Sequence, residues 1–148
     1  LKVTCALGIP LVVYNAPYDL SLLDRECRRH SVDALPEPYV VIDPLVIDKA
    51  VDRYRRGKRT LEVTSALYGV SLDDAHDAGS DAIAAARVAQ ALLAKYGEQL
   101  SIPLDDLHFQ QQRWYADQAS SFQDYMRSSK GDLNFVANPE WPVRSLPQ

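Results

Sequence analysis

Leu11-Val12-Val13-Tyr14 is a short unbroken apolar run behind Pro10, and the chain changes character directly after it. A run that is apolar at every position suits a strand buried on both faces, as in a parallel sheet covered by helices, rather than the alternating strand of a one-sided sheet. From Asp19 the period switches. Leu20, Leu23 and Cys27 fall at i, i+3 and i+7, while Asp24, Arg25, Glu26, Arg28 and Arg29 fill the other side, the pattern of a helix packed on a sheet. A second apolar run, Tyr39-Val40-Val41-Ile42, follows the proline-bearing connection Ala34-Leu35-Pro36-Glu37-Pro38 and ends at Asp43-Pro44. Aspartate as N-cap with proline at N1 starts a helix. The expected class is α/β with few strands and mostly helices.

The helix opened by Pro44 is expected to run to about Arg56, ahead of Gly57, and the next to begin near Thr60 and stop at Gly69. The polar loop from Ser71 to Ser80 precedes a helix expected over Asp81 to Tyr96. Its seven alanines have the highest intrinsic helix propensity, Ile83, Val88, Leu92 and Leu93 give it an apolar side, and Gly97 should end it. Beyond Pro103 the sequence turns rich in glutamine and aromatics. Leu104, Leu107, Trp114, Tyr115, Phe122 and Tyr125 recur near helical spacing up to about Arg127. This divides the chain into residues 1–100 and an appended helix with an irregular tail, 101–148, in which Trp141 is the candidate anchor.

With 148 residues, the chain is one domain's worth of material. Its net charge of -4 gives no global attraction to nucleic acid, so any such attraction has to be local. Cys5 and Cys27 have no metal-ligand spacing and fit a reducing compartment better than a disulfide scaffold. No apolar stretch approaches the roughly 20 residues that span a bilayer, and no signal-peptide pattern opens the chain. A cytoplasmic protein without membrane partners is expected. Leu1 stands where a methionine would, and Lys2 to Gly8 resembles a helix end running into a strand, as in a chain entered in its middle.

Two stretches place an aspartate where a strand or loop turns into a helix: Asn15-Ala16-Pro17-Tyr18-Asp19, and His76-Asp77-Ala78-Gly79-Ser80-Asp81. A carboxylate there is held by the helix, and the positive end of the dipole favours its ionised form. His76, five residues before Asp81, adds a group that exchanges protons near neutral pH. Two carboxylates and a histidine suggest metal-assisted hydrolysis. Taken singly, Asp19 and Asp81 are most simply helix-start carboxylates, and Asp73, Asp74 and Asp77 a solvated acidic loop.

In order and in element, these residues resemble the DEDDh family of 3′-to-5′ exonucleases, to which the proofreading ε subunit of bacterial DNA polymerase III belongs. The resemblance covers about Leu11 to Tyr96. Asp19 matches the aspartate of the second motif and Asn15 the asparagine that commonly precedes it; His76 and Asp81 match the H-x4-D third motif. The resemblance implies a ribonuclease-H-like fold and two Mg²⁺ or Mn²⁺ ions about 3.5 to 4 Å apart that clamp the scissile phosphate. Asp19 and Asp81 would be metal ligands, His76 would take the proton of the attacking water, and Asn15 would orient substrate or the hydrogen-bond network around the ligands. The substrate would be a DNA or RNA 3′ end, with a DNA polymerase as a partner and DNA replication or repair as the setting.

Arg53-Tyr54-Arg55-Arg56-Gly57-Lys58-Arg59 is the one dense basic stretch. By itself it reads as a helix end whose cations complement the dipole. Beside a phosphodiesterase motif, Arg55, Arg56 and Lys58 become candidate contacts for the nucleic-acid backbone.

The family's first motif, an Asp-x-Glu pair on the opening strand, is missing: no acidic residue precedes Asp19. Two carboxylates bring only about -2 to two ions totalling about +4, so weak metal binding and slow or absent turnover are expected of this polypeptide alone. It is expected to be the C-terminal part of a longer exonuclease. The alternative is a non-catalytic fragment that binds nucleic acid or docks on a partner.

Overall fold

A computed structural model describes residues 7–33, 39–71 and 77–145. Among the described residues there are two strands and five helices: β1 (Leu11–Val12), α1 (Ala16–Arg29), β2 (Val41–Ile42), α2 (Pro44–Val51), α3 (Leu61–Leu67), α4 (Ala78–Leu100) and α5 (Leu104–Ser129). The chain is therefore mostly helical with a small parallel α/β element. The strands pair in parallel, Leu11 opposite Val41 and Val12 opposite Ile42. The Leu11 amide donates to Val40 O at 2.8 Å and the Val13 amide to Ile42 O at 2.9 Å. A parallel pair requires a crossover, and α1 supplies it.

Both strands are shorter than their apolar runs. β1 stops because Asn15 adopts a left-handed conformation (φ 63°, ψ 52°) that turns the chain into α1, a conformation asparagine tolerates better than most residues. Tyr14, ahead of it, leaves the ladder. Its hydroxyl donates to Arg59 O at 2.8 Å and lies 2.8 Å from Thr64 Oγ1, tying the strand end to α3. Burial pushes that phenol up to about 12.

The helices form where expected, with four changes of boundary and one of buried face. α1 begins at Ala16 rather than Asp19, because Pro17 sits in its first turn and the Ala16 amide finds a carboxylate on β2's far end. α2 ends at Val51, not Arg56. Beyond it, the Arg59 guanidinium donates to Asp48 O at 3.1 Å and to Arg55 O at 3.2 Å, and also to Asp52 O. Those contacts fold the 52–59 segment back over the helix end.

α4 starts earlier, capped by Asp77, whose side chain accepts from Ser80 N at 3.2 Å. It also runs past Gly97 through a kink at Tyr96 (φ −118°, ψ 27°). Leu100, buried in the turn after the kink, holds that continuation to the core. Within α4, Val88 and Leu92 are buried while Ile83 and Leu93 are half exposed. At about 100° per residue Ile83 sits roughly 140° around the helix from Val88, so one face cannot hold both.

Two apolar clusters form the core. Ala16, Leu20, Val41, Val46 and Trp141 make one, and Ile47, Val88, Leu92, Leu100 and Leu107 the other. Trp114 of α5 packs against both. The last helix thus contributes to the interior, through Leu107, Gln111 and Trp114. Tyr115 packs against the first cluster, whereas Leu104, Phe109, Phe122 and Tyr125 are exposed. Trp141, only 3% exposed, does anchor the tail.

Candidate functional site

The centre of the strand ends is Asp43, fully buried, and its two oxygens gather five N–H donors. Oδ1 accepts from the amides of Asn15 (3.0 Å), Leu45 (3.0 Å) and Val46 (3.4 Å). Oδ2 accepts from the Ala16 amide (2.8 Å) and from Trp141 Nε1 (3.3 Å). One carboxylate therefore caps α2 from its own N-cap position and satisfies the first amide of α1, whose own N-cap residue makes no side-chain bond. Burial pushes the Asp43 carboxyl up, and the donors from Ala16, Asn15, Trp141 and Leu45 pull against it.

Gln111 of α5 completes the junction. Its Oε1 accepts from the Asp43 amide at 2.6 Å, and its Nε2 donates to Val41 O at 2.9 Å and Leu107 O at 3.1 Å. On the same side, His108 Nδ1 accepts from the Val41 amide at 3.1 Å. The ring packs 4.9 Å from the Trp141 ring. Burial holds His108 below the usual histidine range. Neither residue follows from apolar periodicity; the one signal for Gln111 is its i+4 spacing from Leu107 on the face that Trp114 continues.

This junction fixes the start of α1 and so the backbone of Asn15 and Asp19. Both side chains are exposed, Asp19 in the first turn of α1. Asp81 is likewise exposed in the first turn of α4, its amide bonded to Asp77 O at 3.0 Å. α4 packs on β1, the strand that leads into Asn15 and α1. Two helix-opening carboxylates thus belong to elements that share one strand. His76, with Asp73 and Asp74, lies outside the described residues. Among the described residues, no group of three or more His, Cys, Asp and Glu side chains is placed to hold a metal. Oxygen ligands for a hard cation are available at Asp19 and Asp81, the residue type such ions prefer.

The basic stretch divides in two. Asp48, fully buried on α2, accepts from Arg59 Nη1 at 2.6 Å, from Arg55 Nη2, and from the Tyr68 hydroxyl at 2.8 Å. Arg55 and Arg59 therefore point inward, only 14% and 11% exposed, and lock the 52–59 segment to α2 and α3. Of the three proposed backbone contacts, Arg55 is committed to this internal network, whereas Arg56 and Lys58 are exposed. The alternation was not evident from composition, because it depends on Asp48 being buried one turn before the helix ends.

No helix of the described residues is long and apolar enough to cross a membrane. Comparison with known proteins gives no match: no family model, no curated protein and no solved structure aligns with the chain.

Proposed function

We propose that the chain is the C-terminal part of a DEDDh-type 3′-to-5′ exonuclease of ribonuclease-H-like fold, acting on DNA or RNA ends with two Mg²⁺ or Mn²⁺ ions. The observation that carries this reading is the placement of Asp19 and Asp81. Each is an exposed carboxylate in the first turn of a helix, one helix leaving β1 and the other packed on β1. Asp43, Gln111 and Trp141 hold the first of these helix starts from beneath, so Asp19 rides on a fixed backbone while its side chain stays exposed.

In the reaction, Asp19 and Asp81 supply carboxylate oxygens to the metal site. Asn15, raised to the surface by its left-handed turn, orients the substrate. His76 accepts the proton of the attacking water, a transfer suited to a group that titrates near neutrality. Divalent ions held by Asp19 and Asp81 would supply stabilisation of the attacking and leaving oxygens. The acidic pair of the first motif, absent ahead of Asp19, would be supplied from outside these 148 residues. Arg56 and Lys58 add backbone contacts without sequence choice.

The test is Asp81→Ala in the full-length protein. Loss of mononucleotide release with an unchanged far-UV spectrum is expected. Unchanged turnover removes Asp81 from the site and with it this reading.

A further inference from the structure

A cavity of about 550 Å³ opens between the second half of α2, the 52–59 segment and α5. That size is within the range of about 300–1,000 Å³ typical of small-molecule sites. None of its lining residues belongs to the Asp19 and Asp81 site, although the 52–59 segment also carries Arg56 and Lys58. Three cations line it, Lys49, Arg53 and Arg59, against the single carboxylate of Asp117. In a chain of net charge -4 this is a local inversion of sign.

The three cations are not equivalent. Arg59 is neutralised by Asp48. Lys49 is partly buried, yet among the described residues its ammonium has no hydrogen-bond or ion-pair partner. Burial holds it below the usual lysine range, with the more distant Asp43 and Asp48 carboxylates pulling the other way. Arg53 is exposed and makes one long contact, Nη2 to Ser121 Oγ at 3.5 Å. A desolvated, unpaired ammonium costs free energy that an anion would recover. The opposite wall carries aromatic surface. Trp114 is wedged between the two core clusters and Phe122 is half exposed, held edge-on to Phe135 with ring centroids 5.3 Å apart. Gln118, which donates to Val46 O at 3.0 Å, fixes α5 against α2 at the cavity's base.

We propose that this cavity binds one nucleotide unit, its phosphate against Lys49 and Arg53 and its base against Trp114 and Phe122. Cations and rings on facing walls suit a ligand that is anionic at one end and a flat π-system at the other. The unit is either a free mononucleotide or a residue within a single strand. The proposal does not rest on the exonuclease reading.

Quenching of tryptophan fluorescence in the protein tests it, with AMP, adenosine, inorganic phosphate and a ten-residue oligodeoxyadenylate as probes. AMP is expected to bind with Kd below about 1 mM, and adenosine and phosphate each at least tenfold more weakly. Lys49→Gln and Arg53→Gln should each weaken AMP about tenfold. Binding of the oligomer alone, with the same dependence on Lys49 and Arg53, upholds the site and assigns the nucleotide to a strand. Absence of binding by both AMP and the oligomer overturns the proposal, as does affinity untouched by both variants or phosphate binding as tight as AMP.

Discussion

Replacing Asp43 with asparagine changes one oxygen into an NH₂ and nothing else in size, so it isolates the acceptor role of a buried carboxylate. Whichever way the amide turns, its nitrogen faces N–H donors. In the milder orientation it faces the Ala16 amide and Trp141 Nε1, in the harsher one the amides of Asn15, Leu45 and Val46. Each buried donor left without an acceptor costs about 1–3 kcal/mol. Two of them set the loss near 4 kcal/mol, a large share of the roughly 5–15 kcal/mol by which a domain is stable. For a chain of this length that corresponds to a fall in Tm of roughly 8–16 °C.

Thermal and urea unfolding followed by far-UV circular dichroism measure this directly, and the Trp141 near-UV signal reports whether the tail has detached. Asp43→Asn should lower both the midpoint and that signal. A Tm within 2 °C of wild type would refute the reasoning, because a carboxyl that serves five donors cannot be exchanged for an amide without loss.

Asp48→Ala leaves the Arg59 guanidinium buried without a counter-charge and Arg55 with Asp52 alone, 3.4 Å from its Nε, and should cost about 3–5 kcal/mol in urea unfolding; a cost below about 1 kcal/mol would mean the cluster relaxes into water. His108 is held neutral by burial and accepts a hydrogen bond at Nδ1, so the unfolded chain binds its proton more readily than the folded one. Its contribution to stability is complete above the unfolded pKa of about 6.5 and is lost as pH falls through the lower folded value. Unfolding midpoints measured from pH 7 to pH 5 should fall, and His108→Gln should flatten that slope; an identical slope in the variant removes His108 as its source. Gln111→Leu keeps the apolar spacing of α5 but strips partners from the Asp43 amide and Val41 O, and should destabilise by about 2 kcal/mol or more; a stabilised variant would contradict the bridging role.

The strand–turn–helix order was legible because each step carries a local signal. Two solid apolar runs mark the strands, Pro44 marks a helix start, and Asp43 stands at an N-cap position. The α/β class with few strands follows from those signals, and so does the anchoring of the tail by Trp141. What escaped is non-local. That the Asp43 side chain also serves α1 depends on β1 and β2 being neighbours, and no window of sequence contains both. The inward turn of Arg55 depends on a buried Asp48, which periodicity would place among surface charges. Gln111 is buried because it pairs with backbone groups of β2, a use that hydropathy does not register. The exposed positions of Asn15, Asp19 and Asp81 depend on where helices begin, and both helices begin three residues before the expected aspartates, at Ala16 and Ala78.

The central claim is that Asp19, His76 and Asp81 belong to a nuclease that works from the 3′ end. It is met most directly by incubating the full-length protein with a 5′-labelled single strand in Mg²⁺ or Mn²⁺. A ladder shortening by one nucleotide at a time from the 3′ end, abolished by chelation and by Asp19→Ala, is the predicted result. Internal cuts, or an intact strand in both metals, would contradict the account.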